Sequence, residues 1–243
     1  MDIARDVLND RVHEITIYID MLDAFDKANR DGKSIVSTEQ YHILMANAFV
    51  LMYNMIEATV TQCIRRLGEI ISQDSECPRC LSDKIISEWI ANQLGTKEQL
   101  NPESRLEKGK AFYRHVVSSA QSNLVFNKGG GGNWDDEEIF RFSERLGINL
   151  RAIPRHIATK IKKQREDDLG CMKFIVRNRN KLAHGEISFS ECGRDKGIAR
   201  IKEIFTDTSQ YLKAMIDLFE DFATRRMFIA EEHLQHAGES IQQ

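Results

Sequence analysis

Apolar residues recur near the start of the chain at alternating spacings of four and three: Leu8, Val12, Ile15, Ile19 and Leu22. That rhythm draws one apolar stripe along an α-helix, and Asn29-Arg30-Asp31-Gly32 is a turn signal that ends it. A second helix is predicted to open at Ser37-Thr38-Glu39-Gln40, a capping-box pattern. Its stripe of Phe49, Met52, Ile56, Val60, Cys63, Leu67 and Ile70 runs to about Gln73. A further helix, from roughly Asp167 to His184, holds Leu169, Met172, Ile175 and Val176. The last long pattern carries Ile201, Phe205, Thr208, Leu212, Met215, Phe219 and Phe222 before a polar tail. Helices with one apolar stripe each can bury those stripes only against one another, so the expected fold is all-α, an up-and-down helical bundle.

The stretch 77–164 interrupts this scheme and reads as an insertion, mainly helical, within one domain spanning 1–243. Pro102 and Pro154 stand where first helical turns would begin. Asp135-Asp136-Glu137-Glu138 puts acid at the start of another short helix, where the dipole favours it. The glycines at 129–132 form a flexible tract and lack the Lys-Ser/Thr of a phosphate loop. Only 3 prolines occur in 243 residues, which suits long helices better than many short strands.

Charge narrows the chemistry. The formal net charge is -3 and the pI about 6.2, so the chain as a whole does not attract nucleic acid and any RNA-binding surface must be local. The clearest basic concentration is Arg151, Arg155, His156, Lys160, Lys162, Lys163 and Arg165, which leads into a helix bearing Lys173, Arg177, Arg179 and Lys181. A solvated helical face explains such a run; a surface that steers RNA through Lys160, Lys162, Lys163 and Lys181 is the functional reading. Cys77-Pro78-Arg79-Cys80 has zinc-ligand spacing but no second pair to complete a site, so no metal and no cofactor are expected. Scattered cysteines, an N-terminus without the apolar core of a signal peptide, and no run approaching roughly 20 apolar residues point to a cytoplasmic protein away from the membrane.

The densest chemistry lies in Arg177-Asn178-Arg179-Asn180-Lys181-Leu182-Ala183-His184-Gly185-Glu186. Gly185 is suited to the left-handed position just past a helix end, which puts His184 in or beside the last turn. The partial negative charge there favours the imidazolium form. Asn180, four residues before His184, shares its side of the helix, and Arg177 faces the same way. Arg179 lies about 140° round from His184, so it reaches the histidine only if the last turn loosens or a second chain completes the site. An arginine, a histidine and an amide at one helix end suit phosphodiester cleavage. The histidine can take the proton of a ribose 2′-OH or protonate the leaving oxygen, and the guanidinium can hold the phosphate.

Arg179-Asn180-Lys181-Leu182-Ala183-His184-Gly185 resembles the signature of the HEPN superfamily: arginine, a polar residue, then histidine after four to six intervening residues. Leu51-Met52-Tyr53-Asn54-Met55-Ile56-Glu57 is similar to that family's second-helix pattern, and Gly132-Asn133-Trp134 and Glu186-Ile187-Ser188-Phe189 resemble one prokaryotic branch. Arg177-Asn178 also satisfies the spacing; Arg179 is preferred because Arg-Asn-x-x-Ala-His-Gly is the commoner spelling in the family.

The resemblance implies a bundle of HEPN type and a metal-independent endoribonuclease, a toxin or defence effector, leaving 2′,3′-cyclic phosphate ends. It implies a homodimer in which paired motifs form one composite site, with an antitoxin or defence-system partner. Arg179, Asn180 and His184 would carry catalysis, with Glu57, Arg177 and Tyr53 in support. Glu186 stands where some members carry a tyrosine modified by a partner nucleotidyltransferase, so silencing by that route is not expected. A non-catalytic module of the same fold, binding nucleotide, RNA or a partner protein, is the other reading.

Overall fold

The capping box forms as the residues require. The Ser37 hydroxyl accepts the Gln40 backbone N–H at 3.1 Å, and the Gln40 carboxamide oxygen accepts the Ser37 N–H at 2.7 Å. In the computed structural model, which describes residues 1–74, 78–94, 101–117, 124–126, 133–164 and 168–233, this cap starts the longest helix. The helices are α1 (Asp2–Arg30), α2 (Thr38–Asp74), α3 (Asp83–Gln93), α4 (Pro102–Val117), α5 (Asp136–Leu146), α6 (Arg155–Lys162), α7 (Cys171–Ala183), α8 (Phe189–Arg194) and α9 (Ile198–Thr224). Among the described residues the sole extended pairing is an isolated bridge between Leu81 and Ile229. The protein is all-α.

The four stripes meet in one core. Leu8, Ile15, Ile19 and Leu22 of α1 are buried with Phe49, Met52, Ile56, Val60 and Leu67 of α2, Met172 and Ile175 of α7, and Ile201, Leu212, Met215 and Phe219 of α9. α2 packs against α1, α7, α8 and α9 and so occupies the centre. By length and composition α2 could cross a bilayer: 18 of its residues reach a mean hydropathy of 1.5. More than half of that window is buried inside the bundle, which accounts for the apolar run without a membrane. Ion pairs clasp α1 to α9: Arg5 to Asp217 at 2.7 Å and to Glu220, and Asp23 to Lys202 at 2.9 Å.

α8 rests on α2 with almost no separation. A Cβ at Gly193 would stand 1.9 Å from the carbonyl oxygen of His42, so only glycine permits the approach. α7 begins later than its apolar pattern suggests, because Gly170, its N-cap, sits close under the backbone of Ile161 and leaves Leu169 outside the helix. The described parts of residues 77–164 pack among themselves and on α7 and α9. α6 packs on α9 and α7, α3 on α5, and α4 on α3. Asp135 caps α5 by accepting the Glu138 N–H at 2.8 Å, and Pro102 opens α4. Pro154 precedes α6 as its N-cap rather than as its first turn.

Candidate active site

The end of α7 is built by three backbone bonds. The His184 N–H donates to the Asn180 carbonyl at 2.9 Å, Gly185 to Leu182 at 3.2 Å and Glu186 to Lys181 at 2.9 Å. This is a Schellman closure, and it requires Gly185 to sit at φ +69°. It leaves His184 exposed at the C-cap, where the last turn's carbonyl dipoles converge.

Arg179 points elsewhere, as the 140° offset demands. Its guanidinium lies 3.5 Å from the centre of the Tyr53 ring on α2, and its Nη1 donates to the Asn180 Oδ1 at 2.9 Å. Arg179 and Asn180 are half-buried while Tyr53 is buried. The backbone N–H of Trp134, just ahead of α5, faces the Tyr53 hydroxyl. Burial pushes the phenol above its ordinary range; Glu57 adds to that, while Arg179 and the Trp134 N–H oppose it. The arginine therefore rests on a buried ring of α2.

Glu57, one turn after Tyr53, is exposed and borders a groove between α1 and α2 together with Asn54, Arg11 and Glu14. Among the described residues it makes no ion pair with Arg179; Tyr53 occupies that place. Arg177 is exposed on the His184 side of α7. Its neighbour Asn178 is committed to structure. The Asn178 amide donates to the Phe174 carbonyl at 2.8 Å and its oxygen lies 3.5 Å from the Cys192 thiol of α8, which donates to it. Lys181 is half-buried in the last turn.

The basic run is partly answered by acids of α9. Lys160 lies 3.9 Å from the buried Asp207, and Lys163 lies 3.2 Å from Glu203. Lys162 is exposed, with no ion pair among the described residues. On α7, Lys173 pairs with Glu137 of α5 at 2.5 Å, which holds the ammonium above and the carboxylate below their ordinary values. Arg165, Cys77 and the 129–132 glycines lie outside the described residues. No group of three His, Cys, Asp or Glu side chains converges as a metal site would among those described.

Tyr53 and Trp134 are more central than sequence reasoning made them. Tyr53 was expected only in support of the site, and Trp134 had only its place in a branch-like Gly-Asn-Trp stretch. The Asn178 bond to α8 carried no signal in the sequence.

The HEPN_MAE_28990-like HEPN family model matches residues 3–228, and the chain belongs to that family. No curated protein matches the chain, and no solved structure matches it.

Proposed function

We propose that this HEPN protein is a metal-independent endoribonuclease, a toxin or defence effector, whose composite site forms between two copies of the chain. What supports the reading most is the division of labour at the end of α7. His184 is exposed at the Schellman-closed terminus, while Arg179 is pre-set on Tyr53 and bonded to Asn180. Within one chain these groups diverge. A second copy related by a twofold axis would bring the paired α7 termini together, an isologous contact of the commonest kind.

In that assembly His184 takes the proton from the ribose 2′-OH, whose oxygen attacks the adjacent phosphorus while the 5′ oxygen leaves with a proton from the partner's His184. Arg179 stabilises the charge on the phosphoryl oxygens, and Asn180 keeps the guanidinium in place. Arg179 is favoured over Arg177 as the motif arginine because Asn178 is buried and already bonded, whereas Asn180 faces the site. Lys160, Lys162, Lys163 and Lys181 guide the RNA, and the protein works in the cytoplasm beside an antitoxin or defence partner.

The test is cleavage of total cellular RNA by wild type and His184→Ala. Loss of the general acid/base lowers the rate by about 10²–10⁴-fold. Equal rates would remove the assignment, and RNA binding without cleavage by either would favour the non-catalytic module.

A further inference from the structure

Beside α5 lies a pocket of about 330 Å³ that the cleavage chemistry does not use. Its walls are apolar and aromatic, with Phe140 and Ile161 among them; Asp136 and Tyr211 supply buried polar groups, and Arg151 and Lys162 supply charge. Asp136 is 8% exposed and Tyr211 5%, so each is more than nine-tenths buried while lining an open cavity. Arg151 and Lys162 are exposed, and the Arg151 guanidinium sits 5.4 Å from the centre of the Phe140 ring.

An apolar and aromatic pocket with a buried carboxyl and exposed cations has two demands. It suits a planar body with hydrogen-bond donors on its edge, attached to an anion that stays at the mouth. An unstacked base of single-stranded RNA meets both, since such bases are read by stacking and by bonds to their Watson–Crick edge. Position agrees with this. Glu137, which lines the pocket, is paired with Lys173 of the motif helix. Asp136 follows Trp134 by two residues. Lys173 and His184 stand eleven residues apart along α7, about 16 Å at the helical rise, a span that a short run of nucleotides covers.

We propose that this pocket is a base-specificity subsite for guanine, lying to one side of the scissile phosphate; the link to cleavage rests on the ribonuclease reading above. An ionised carboxylate only accepts hydrogen bonds. Guanine alone among the four bases offers two adjacent N–H donors, at N1 and N2. Adenine and cytosine present a ring acceptor beside their amino group, and uracil presents a single N–H between two carbonyls. Burial raises the Asp136 carboxyl above its ordinary range, with Asp135 adding to it and Lys162 and Lys173 opposing. Two guanine N–H donors favour the ionised form and would bring it back down.

The test uses the full-length protein and short 2′-O-methyl oligonucleotides, which cannot be cut by 2′-OH attack, followed by fluorescence anisotropy. One position carries guanine, inosine (no N2 amino group) or uracil. We expect guanine to bind about tenfold tighter than inosine, the worth of one hydrogen bond to a charged group, and uracil to bind weakest. Asp136→Asn should abolish the preference while leaving the shared, phosphate-driven affinity. Tyr211→Phe, which removes only a hydroxyl, guards against misfolding of the first variant and should weaken guanine binding. Equal affinity for the three oligonucleotides, a preference untouched by Asp136→Asn, or no binding at all would overturn the subsite. Cleavage of unmodified RNA in parallel reads the other claim: cutting that depends on His184 without base preference removes the pocket and keeps the nuclease. Guanine-selective binding without cutting does the reverse.

Discussion

Replacing Tyr53 by leucine removes the ring on which Arg179 rests and keeps much of the apolar volume. At 3.5 Å from the ring centre and half-buried, the guanidinium gains about 1–2 kcal/mol from the aromatic face. The smaller side chain also leaves space in the core and removes the buried hydroxyl, so the total loss of stability should be about 2–4 kcal/mol. Tyr53→Phe separates these parts: it keeps the ring, loses only the hydroxyl, and should cost about 1–2 kcal/mol. Urea unfolding of Tyr53→Leu, Arg179→Met and the double variant gives the coupling directly, with an expected interaction of about 1–2 kcal/mol. In RNA cleavage Tyr53→Phe should stay near wild type. Tyr53→Leu should fall about tenfold, since the arginine is still present but no longer positioned. Additivity of the two single changes within about 0.3 kcal/mol would refute the idea that the ring holds the arginine.

Three further outcomes follow from other parts of the molecule. Gly185→Ala meets no neighbour within 4 Å, so its cost is backbone strain at φ +69° alone; thermal unfolding should show a loss of about 1–2 kcal/mol, and no loss would contradict the closure that presents His184. Asp136 has a folded-state pKa above the usual value of about 3.9, so on raising the pH through that window the unfolded chain releases its proton first and stability falls. Asp136→Asn should therefore gain in melting temperature relative to wild type as the pH rises above about 4, and a difference that stays constant would contradict the burial. Changing Lys160, Lys162 and Lys163 to alanine together should weaken RNA binding and flatten its salt dependence, by a slope of about 0.7 for each phosphate the variant no longer neutralises; an unchanged slope would show that Asp207 and Glu203 already neutralise the patch.

The bundle was legible because each long helix carries a single stripe. Leu8 to Leu22, Phe49 to Leu67 and Ile201 to Phe222 announce their buried faces by spacing, and Ser37 and Gln40 announce where α2 begins. The end of α7 was legible too, because Gly185 suits a left-handed residue and Asn180 and His184 follow helical geometry. What hid was tertiary. Glu57 was expected in support of the site, but the partner of Arg179 is Tyr53 one turn earlier, since a buried ring can pack against a guanidinium that a solvated carboxylate leaves alone. Trp134 reaches Tyr53 through its backbone, which no side-chain pattern encodes. The basic run read as free charge, yet Lys160 and Lys163 face acids of α9 that lie 40 or more residues away in sequence. Pairings of that kind depend on how helices stack and leave no local periodicity.

The central claim is cleavage by the ribose 2′-OH under the control of His184. Its most direct measurement is the chemistry of the ends left when wild type and His184→Ala act on total cellular RNA in EDTA. Wild type alone should produce fragments, each with a 2′,3′-cyclic phosphate and a 5′-OH. Fragments with 5′-phosphates, or cyclic-phosphate ends produced equally by His184→Ala, would contradict it.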